Sequence, residues 1–116
     1  MDNLLVILRK PPYGLVNAAE AVRHAGGASA FDYTSTLYLI DSGVLSAKKN
    51  QDAGDTGYTG VGDTLELLSD EMDIYASRSS LEEYGLTSED LVEGVKIDDG
   101  QVLNNSLREA QTVMIY

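Results

Sequence analysis

Apolar residues gather in five short runs along this chain, and the intervals between them carry the three-to-four-residue spacing of amphipathic helices. Asn3-Leu4-Leu5-Val6-Ile7-Leu8 is a continuous apolar run closed by Arg9-Lys10-Pro11-Pro12. That pattern predicts a strand buried on both faces. The two prolines prevent its continuation as helix, and Tyr13-Gly14 turns the chain. Leu15, Ala18, Ala19, Val22 and Ala25 then recur at helical spacing, with Gly26-Gly27 expected to close the helix. Thr36-Leu37-Tyr38-Leu39-Ile40 predicts a second strand, followed by Asp41-Ser42-Gly43 and a short helix over Val44 to Lys48.

Asn50 to Gly62 is rich in Gly and Asp, lacks apolar periodicity and reads as a loop. Val61, Leu65 and Leu68 mark a third helix, and Met72 to Ala76 a third strand. Ser80 with Glu83 has the spacing of a capping box for a short helix that ends at Tyr84 and Gly85. Thr87 with Asp90 repeats the signal for Ser88 to Glu93. Val95-Lys96-Ile97 predicts a fourth strand, and Asp98-Asp99-Gly100 a turn. A helix over Ser106 to Ala110, capped by Asn104 or Asn105, leads to a final strand over Thr112 to Tyr116.

Each strand-to-strand interval is long enough for a helical crossover. The expected fold is therefore a single α/β domain over residues 1–116, with three layers and flavodoxin-like layering: a mostly parallel five-stranded sheet with helices on both faces. Loops after the strands carry ligands in such sheets. Here they are Pro11 to Gly14, Asp41 to Gly43 and Ser77 to Ser79.

Composition narrows the chemistry. The 116 residues contain no cysteine and one histidine, His24. Disulfides, thiolate metal sites, thiol catalysis and histidine-rich metal sites are thereby excluded. Nineteen acidic against eight basic side chains give a net charge of −11. Twelve of the acids lie between Asp63 and Asp99, opposed there only by Arg78 and Lys96. Nucleic-acid and anionic-membrane binding need clustered Lys and Arg, so neither is expected. The acidity fits a solvated surface or a face that docks a basic subunit. No apolar run reaches the roughly 18 residues of a membrane span, and a cytoplasmic location is expected.

Familiar catalytic motifs fail. No P-loop sequence is present, and Gly57-x-x-Gly60-x-Gly62 has the wrong glycine order for a dinucleotide site. Arg9-Lys10 stands where a phosphoacceptor receiver would need acids. A Ser77, His24, Asp41 triad is formally available, but His24 is expected in the last turn of its helix, away from the strand ends, and Ser77 lacks a glycine-flanked elbow. The tyrosines read as core or interface material, with Tyr13 best placed to line a pocket.

Several segments, taken in order, are familiar. An apolar first strand followed by Pro12-Tyr13-Gly14 and an Ala-rich helix, then Ile40-Asp41-Ser42-Gly43-Val44, Ile74-Tyr75-Ala76-Ser77-x-x-Ser80-Leu81-x-x-x-Gly85-Leu86 and Leu91 to Val95, resemble the DsrE/DsrF-like sulfur-relay family, which includes the Tus proteins of tRNA thiolation. Ser42 takes the place of a family Asp, with the acid one residue earlier at Asp41. The ending, Leu107-Arg108-Glu109-Ala110 with Val113-Met114-Ile115-Tyr116, is more similar to the DsrF/TusC branch.

The strand-end loops offer a candidate ligand site at Tyr13, Gly14, Asp41, Ser42, Gly43, Ser77 and Arg78, and the resemblance puts Ser77 at the position of the family's persulfide-carrying cysteine. A thiolate accepts and passes sulfur near neutral pH, whereas a serine hydroxyl stays protonated. The expectation is a non-catalytic, DsrF/TusC-like subunit without cofactor or metal. It would support a Cys-bearing DsrE-like paralogue in a hetero-oligomer serving tRNA thiolation or sulfur oxidation. The alternative is a homo-oligomeric DsrE-like domain that binds a small ligand in the strand-end pocket. A hydroxyl nucleophile at Ser77 is a third, remoter reading.

Overall fold

In the computed structural model, residues 3–13, 16–49 and 61–116 are described. Gly14, Leu15 and the Gly/Asp-rich stretch from Asn50 to Gly60, with its Gly57-x-x-Gly60 motif, lie outside them. The five predicted strands are all present: β1 (Asn3–Leu8), β2 (Thr34–Leu39), β3 (Asp73–Ser77), β4 (Val95–Asp98) and β5 (Thr112–Ile115). They form one sheet in the order β4-β3-β2-β1-β5. Every neighbouring pair is parallel. The helices are α1 (Asn17–Ala30), α2 (Val61–Leu68), α3 (Arg78–Glu83) and α4 (Gln101–Glu109), with 3₁₀ turns at Asp41–Ala47 and Ser88–Asp90.

Alternation along the strands divides the sheet into two faces. Leu4, Val6 and Leu8 of β1, Leu37 and Leu39 of β2, and Ile74 and Ala76 of β3 pack with Ala18, Val22, Leu65 and Leu81 in the main core. The opposite face holds a smaller cluster of Leu5, Ile7 and Tyr38, against which Leu103 of α4 and Ala110 just beyond it pack. Helices therefore cover both faces, as the sequence predicts, and β1 is buried on each side because it lies inside the sheet.

Several boundaries move for physical reasons. Helix α1 does not stop at Gly26-Gly27 but runs to Ala30. A Cβ on Gly26 would lie 3.2 Å from the Leu68 side chain, so this glycine lets α1 approach α2 closely instead of ending the helix. His24 is consequently mid-helix rather than in the last turn. Its Nδ1 hydrogen-bonds the Tyr116 hydroxyl, and the two rings stack with centroids 5.6 Å apart. The Val44–Lys48 helix is a 3₁₀ turn that starts at Asp41. The Thr87–Asp90 capping box forms, but it caps a 3₁₀ turn of three residues.

Helix α4 begins at Gln101, five residues before the predicted start, and neither Asn104 nor Asn105 caps it. The cap is Asp98. Its carboxylate accepts from the backbone N–H of Gly100 at 3.0 Å, Val102 at 3.1 Å and Leu103 at 3.3 Å. Gly100, at φ 115°, takes the left-handed conformation that folds the chain back over that carboxylate.

Candidate functional site

The chain moves from β1 through β2 and β3 to β4 by way of helices on one face, then returns across α4 to place β5 beside β1. Open parallel sheets bind ligands outside the strand C-termini, near such a reversal. The loops after β1, β2 and β3 are adjacent there because their strands are adjacent.

The loop after β2 is knitted into both of its neighbours. Asp41 has a left-handed backbone, φ 51°, which Asp tolerates better than most residues. Its N–H donates to Ser80 Oγ at 2.9 Å, and its carboxylate lies 3.5 Å from Arg9 Nε. Ser42 Oγ donates to the Arg9 carbonyl at 3.0 Å. Gly43 is pressed against the end of β1: a Cβ there would fall 2.1 Å from the Leu8 carbonyl oxygen. These contacts tie the ends of β1 and β2 to the first turn of α3. The Arg9–Asp41 pair is half-exposed and contributes about 0–1 kcal/mol.

Ser77 occupies the corner between β3 and α3 as the residue preceding the helix, with φ −67° and ψ 126°. It makes no capping hydrogen bond, and its hydroxyl pairs with Ser79 Oγ at 3.1 Å. The predicted capping box at Ser80 is absent, since α3 starts two residues earlier and the Ser80 hydroxyl serves Asp41. Arg78 turns toward β4, where its Nε donates to Asp99 at 2.6 Å.

Of the predicted residues, Asp41, Ser42 and Gly43 are therefore brought together. Ser77 and Arg78 flank them without bonding to them, Tyr13 is half-buried in the loop after β1, and Gly14 lies outside the described residues. Arg9 and Ser80 belong to the same network, although the sequence reading gave them other roles.

The chemistry available to Ser77 is limited. Asp98 is its register partner on β4. However, that carboxylate already accepts from three backbone N–H groups and, at 2.5 Å, from the Tyr38 hydroxyl. Burial pushes Asp98 up, yet these hydrogen bonds outweigh it and hold the carboxyl below its ordinary range. Burial, then the bond to Asp98, pushes Tyr38 far above the usual tyrosine value. His24 serves Tyr116 beyond β5, three strands from β3, or about 14 Å at the usual strand spacing. The formal Ser77, His24, Asp41 triad is not assembled. Among the described residues no group of three His, Asp or Glu side chains can hold a metal ion.

A three-layer α/β domain with a single parallel sheet and a serine corner after its third strand defines the class. The DsrE/DsrF-like family profile matches residues 2–116, and the chain belongs to that family. It is 38% identical over 95 residues to the intracellular sulfur oxidation protein DsrF of Allochromatium vinosum, covering 80% of this chain and 70% of that one. It is 29% identical over 115 residues to the TusC homolog of Pseudomonas aeruginosa, covering 97% of each. The two relatives support the DsrF/TusC branch. The crystal structure of the E. coli ychN protein superposes with a TM-score of 0.90 over all of both chains at 20% identity, which shows the shared fold.

Proposed function

We propose that this chain is a non-catalytic subunit of an intracellular sulfur-relay assembly, in which a Cys-bearing DsrE-like partner carries the sulfur. The observation that carries this reading is Ser77. It stands at the strand–helix corner where the resemblance places the persulfide cysteine, its hydroxyl contacts another serine, and the sequence holds no thiol elsewhere. A serine hydroxyl is too weakly acidic to become the polarizable anion that sulfur transfer requires.

The α4 side supports a role in assembly. Leu107, Val113 and Ile115 are 46%, 39% and 62% exposed, and β5 forms a sheet edge with unpaired backbone groups. No described helix is long and apolar enough to cross a membrane. Our reading puts the assembly in the cytoplasm, without a direct role in nucleic-acid binding; the support for the location is the likeness to an intracellular sulfur oxidation protein.

Co-expression with the Cys-bearing DsrE-like paralogue of the same genome, followed by size-exclusion chromatography with light scattering, tests the reading. Stable co-elution in a defined ratio is expected. A chain that remains alone while the paralogue assembles without it overturns the proposal.

A second reading, a homo-oligomer that binds a small ligand at the strand ends, is favoured by the Arg9, Asp41, Ser42 and Ser80 network and the strained backbone at Asp41. It predicts self-association together with a raised melting temperature on adding a metabolite, since a ligand of the native state stabilises it. Loss of that shift in Asp41→Ala would tie it to these loops.

A further inference from the structure

Helix α4 and strand β5 are held to the molecule differently from the rest of it. No residue of either is buried, whereas five of the six residues of β1 and four residues of α1 are. The main core lies on the other face of the sheet and α4 takes no part in it; from the end of the chain only the part-buried Met114 and Tyr116 reach it. What α4 covers, through Leu103 and the following Ala110, is the small cluster of Leu5, Ile7 and Tyr38. Uncovering three side chains gives up far less apolar burial than dispersing the main core, and local stability follows such burial.

The attachments of this segment are few and discrete. At its start Asp98 accepts from the Val102 and Leu103 N–H groups, and Gly100, at φ 115°, provides a pivot. Asp98 also binds the Tyr38 hydroxyl, a contact between β4 and β2 that does not need α4. In the middle, Gln111 Oε1 accepts from Asn3 N–H at 2.5 Å, and Gln111 N–H donates to the Asn3 carbonyl at 3.0 Å. At the end, Tyr116 N–H donates to the Ile7 carbonyl and Arg9 N–H to the Tyr116 carbonyl, both at 2.8 Å. The Tyr116 hydroxyl bonds His24 of α1, and the two rings stack.

We propose that residues 100–116 form a strap that opens as one unit while β1 to β4 and the main core stay folded, with the Tyr116–His24 pair as its clasp. Opening frees the β5-facing edge of β1 and bares Leu5, Ile7 and Tyr38. Leu107, Val113 and Ile115 lie on the strap itself, so a subunit seated on them binds the closed form and suppresses the opening. The opening is a property of the free chain and does not rest on the identity of any partner.

Native-state amide hydrogen exchange of the free chain, followed by NMR at low urea concentrations, is the test. Both backbone groups of a β1 residue point to the same neighbouring strand. Leu8 bonds Ile40 beyond β2 and Ile7 bonds Tyr116, so the Leu5 and Ile7 N–H groups face β5, and those of Val6 and Leu8 face β2. The hydrogen-bonded amides of α4 and β5, with Leu5 and Ile7, should share one urea dependence. They should exchange at least about tenfold faster than Val6, Leu8, Leu37 and Ile74. Ile74→Val, on the main-core face, should speed the slow set about twofold to tenfold and leave the strap set unchanged. Tyr116→Phe should speed both sets by one common factor of about twofold to tenfold, because the clasp holds the closed form against every opening. Three results overturn the proposal: Ile74→Val speeding both sets equally, Val6 and Leu8 exchanging together with Leu5 and Ile7, or Tyr116→Phe leaving the strap set unchanged.

Discussion

Replacing Asp98 with Ala should be among the most damaging single changes on the α4 side of the molecule. The carboxylate caps α4 through Val102 N–H and Leu103 N–H and also receives the Tyr38 hydroxyl, although Tyr38 is 1% exposed. Loss of a helix cap costs about 1–2 kcal/mol. Leaving the buried phenol without an acceptor adds about 1–3 kcal/mol. The expected total is about 2–5 kcal/mol, a large share of the roughly 5–15 kcal/mol that holds a domain together. At about 4 °C per kcal/mol for a chain of this size, the melting temperature should fall by roughly 8–20 °C.

Urea unfolding followed by circular dichroism measures the loss, and a double-mutant cycle with Tyr38→Phe separates its parts. In the Phe background no hydroxyl is orphaned, so Asp98→Ala should cost only the cap, and the coupling should be about 1–3 kcal/mol. Strict additivity, or a single-mutant loss below about 1 kcal/mol, would refute the reasoning. The pH dependence provides a second check. Because the folded state lowers the Asp98 pKa, its stabilisation is complete above the free carboxyl value of about 3.9 and disappears as pH falls through the lower folded value. Tyr38 is shifted upward, so its contribution is complete below about pH 10 and declines above it. The stability difference between the parent and Asp98→Asn should therefore be flat from about pH 5 to 9 and shrink below about pH 4.

Gly43→Ala should destabilise by about 2–3 kcal/mol or more, because its Cβ meets a backbone oxygen that cannot move aside. A variant as stable as the parent by thermal melting would contradict that packing. Ser35→Ala should leave stability unchanged or raise it by up to about 1 kcal/mol, since it removes an unpartnered hydroxyl, and a clear loss in urea titration would show that the hydroxyl is satisfied. Ile115→Lys should leave the monomer folded but abolish co-elution with the Cys-bearing partner; an unaffected complex would move the interface away from the β5 edge. Ser77→Ala should alter neither assembly nor sulfur transfer by the complex, and a lost transfer rate would return chemistry to this chain.

The sheet was readable because strand burial leaves a local trace. The run Leu4 to Leu8 marks an inner strand, and each of the five strands lies within two residues of its predicted bounds. Helix ends were harder, because the deciding contacts are remote. Gly26 looks like a terminator until Leu68 of another helix packs against it. Asn104 and Asn105 look like caps because Asn favours them, but Asp98 already fills that role from the preceding strand. Strand order could not be read from apolar runs alone, and so the strand-end network was only half visible. Asp41 to Gly43 stood out by turn chemistry, whereas Arg9 and Ser80 join it only through the adjacency of β1, β2 and β3. The orphaned Ser35 hydroxyl leaves no sequence signal at all.

The placement of β5 has a consequence for biosynthesis. Strand β1 is translated first, yet one of its two neighbours is supplied by residues 112–115. At roughly 5–20 residues per second, about 100 further residues take on the order of 5–20 s to synthesise. Throughout that interval the β5-facing edge of Leu4 to Ile7 has no native mate, and Leu4 to Leu8 is the longest uninterrupted apolar run in the sequence. Contacts of such long sequence separation slow folding. Production of this protein should therefore depend on ribosome-associated chaperones more than its small size suggests.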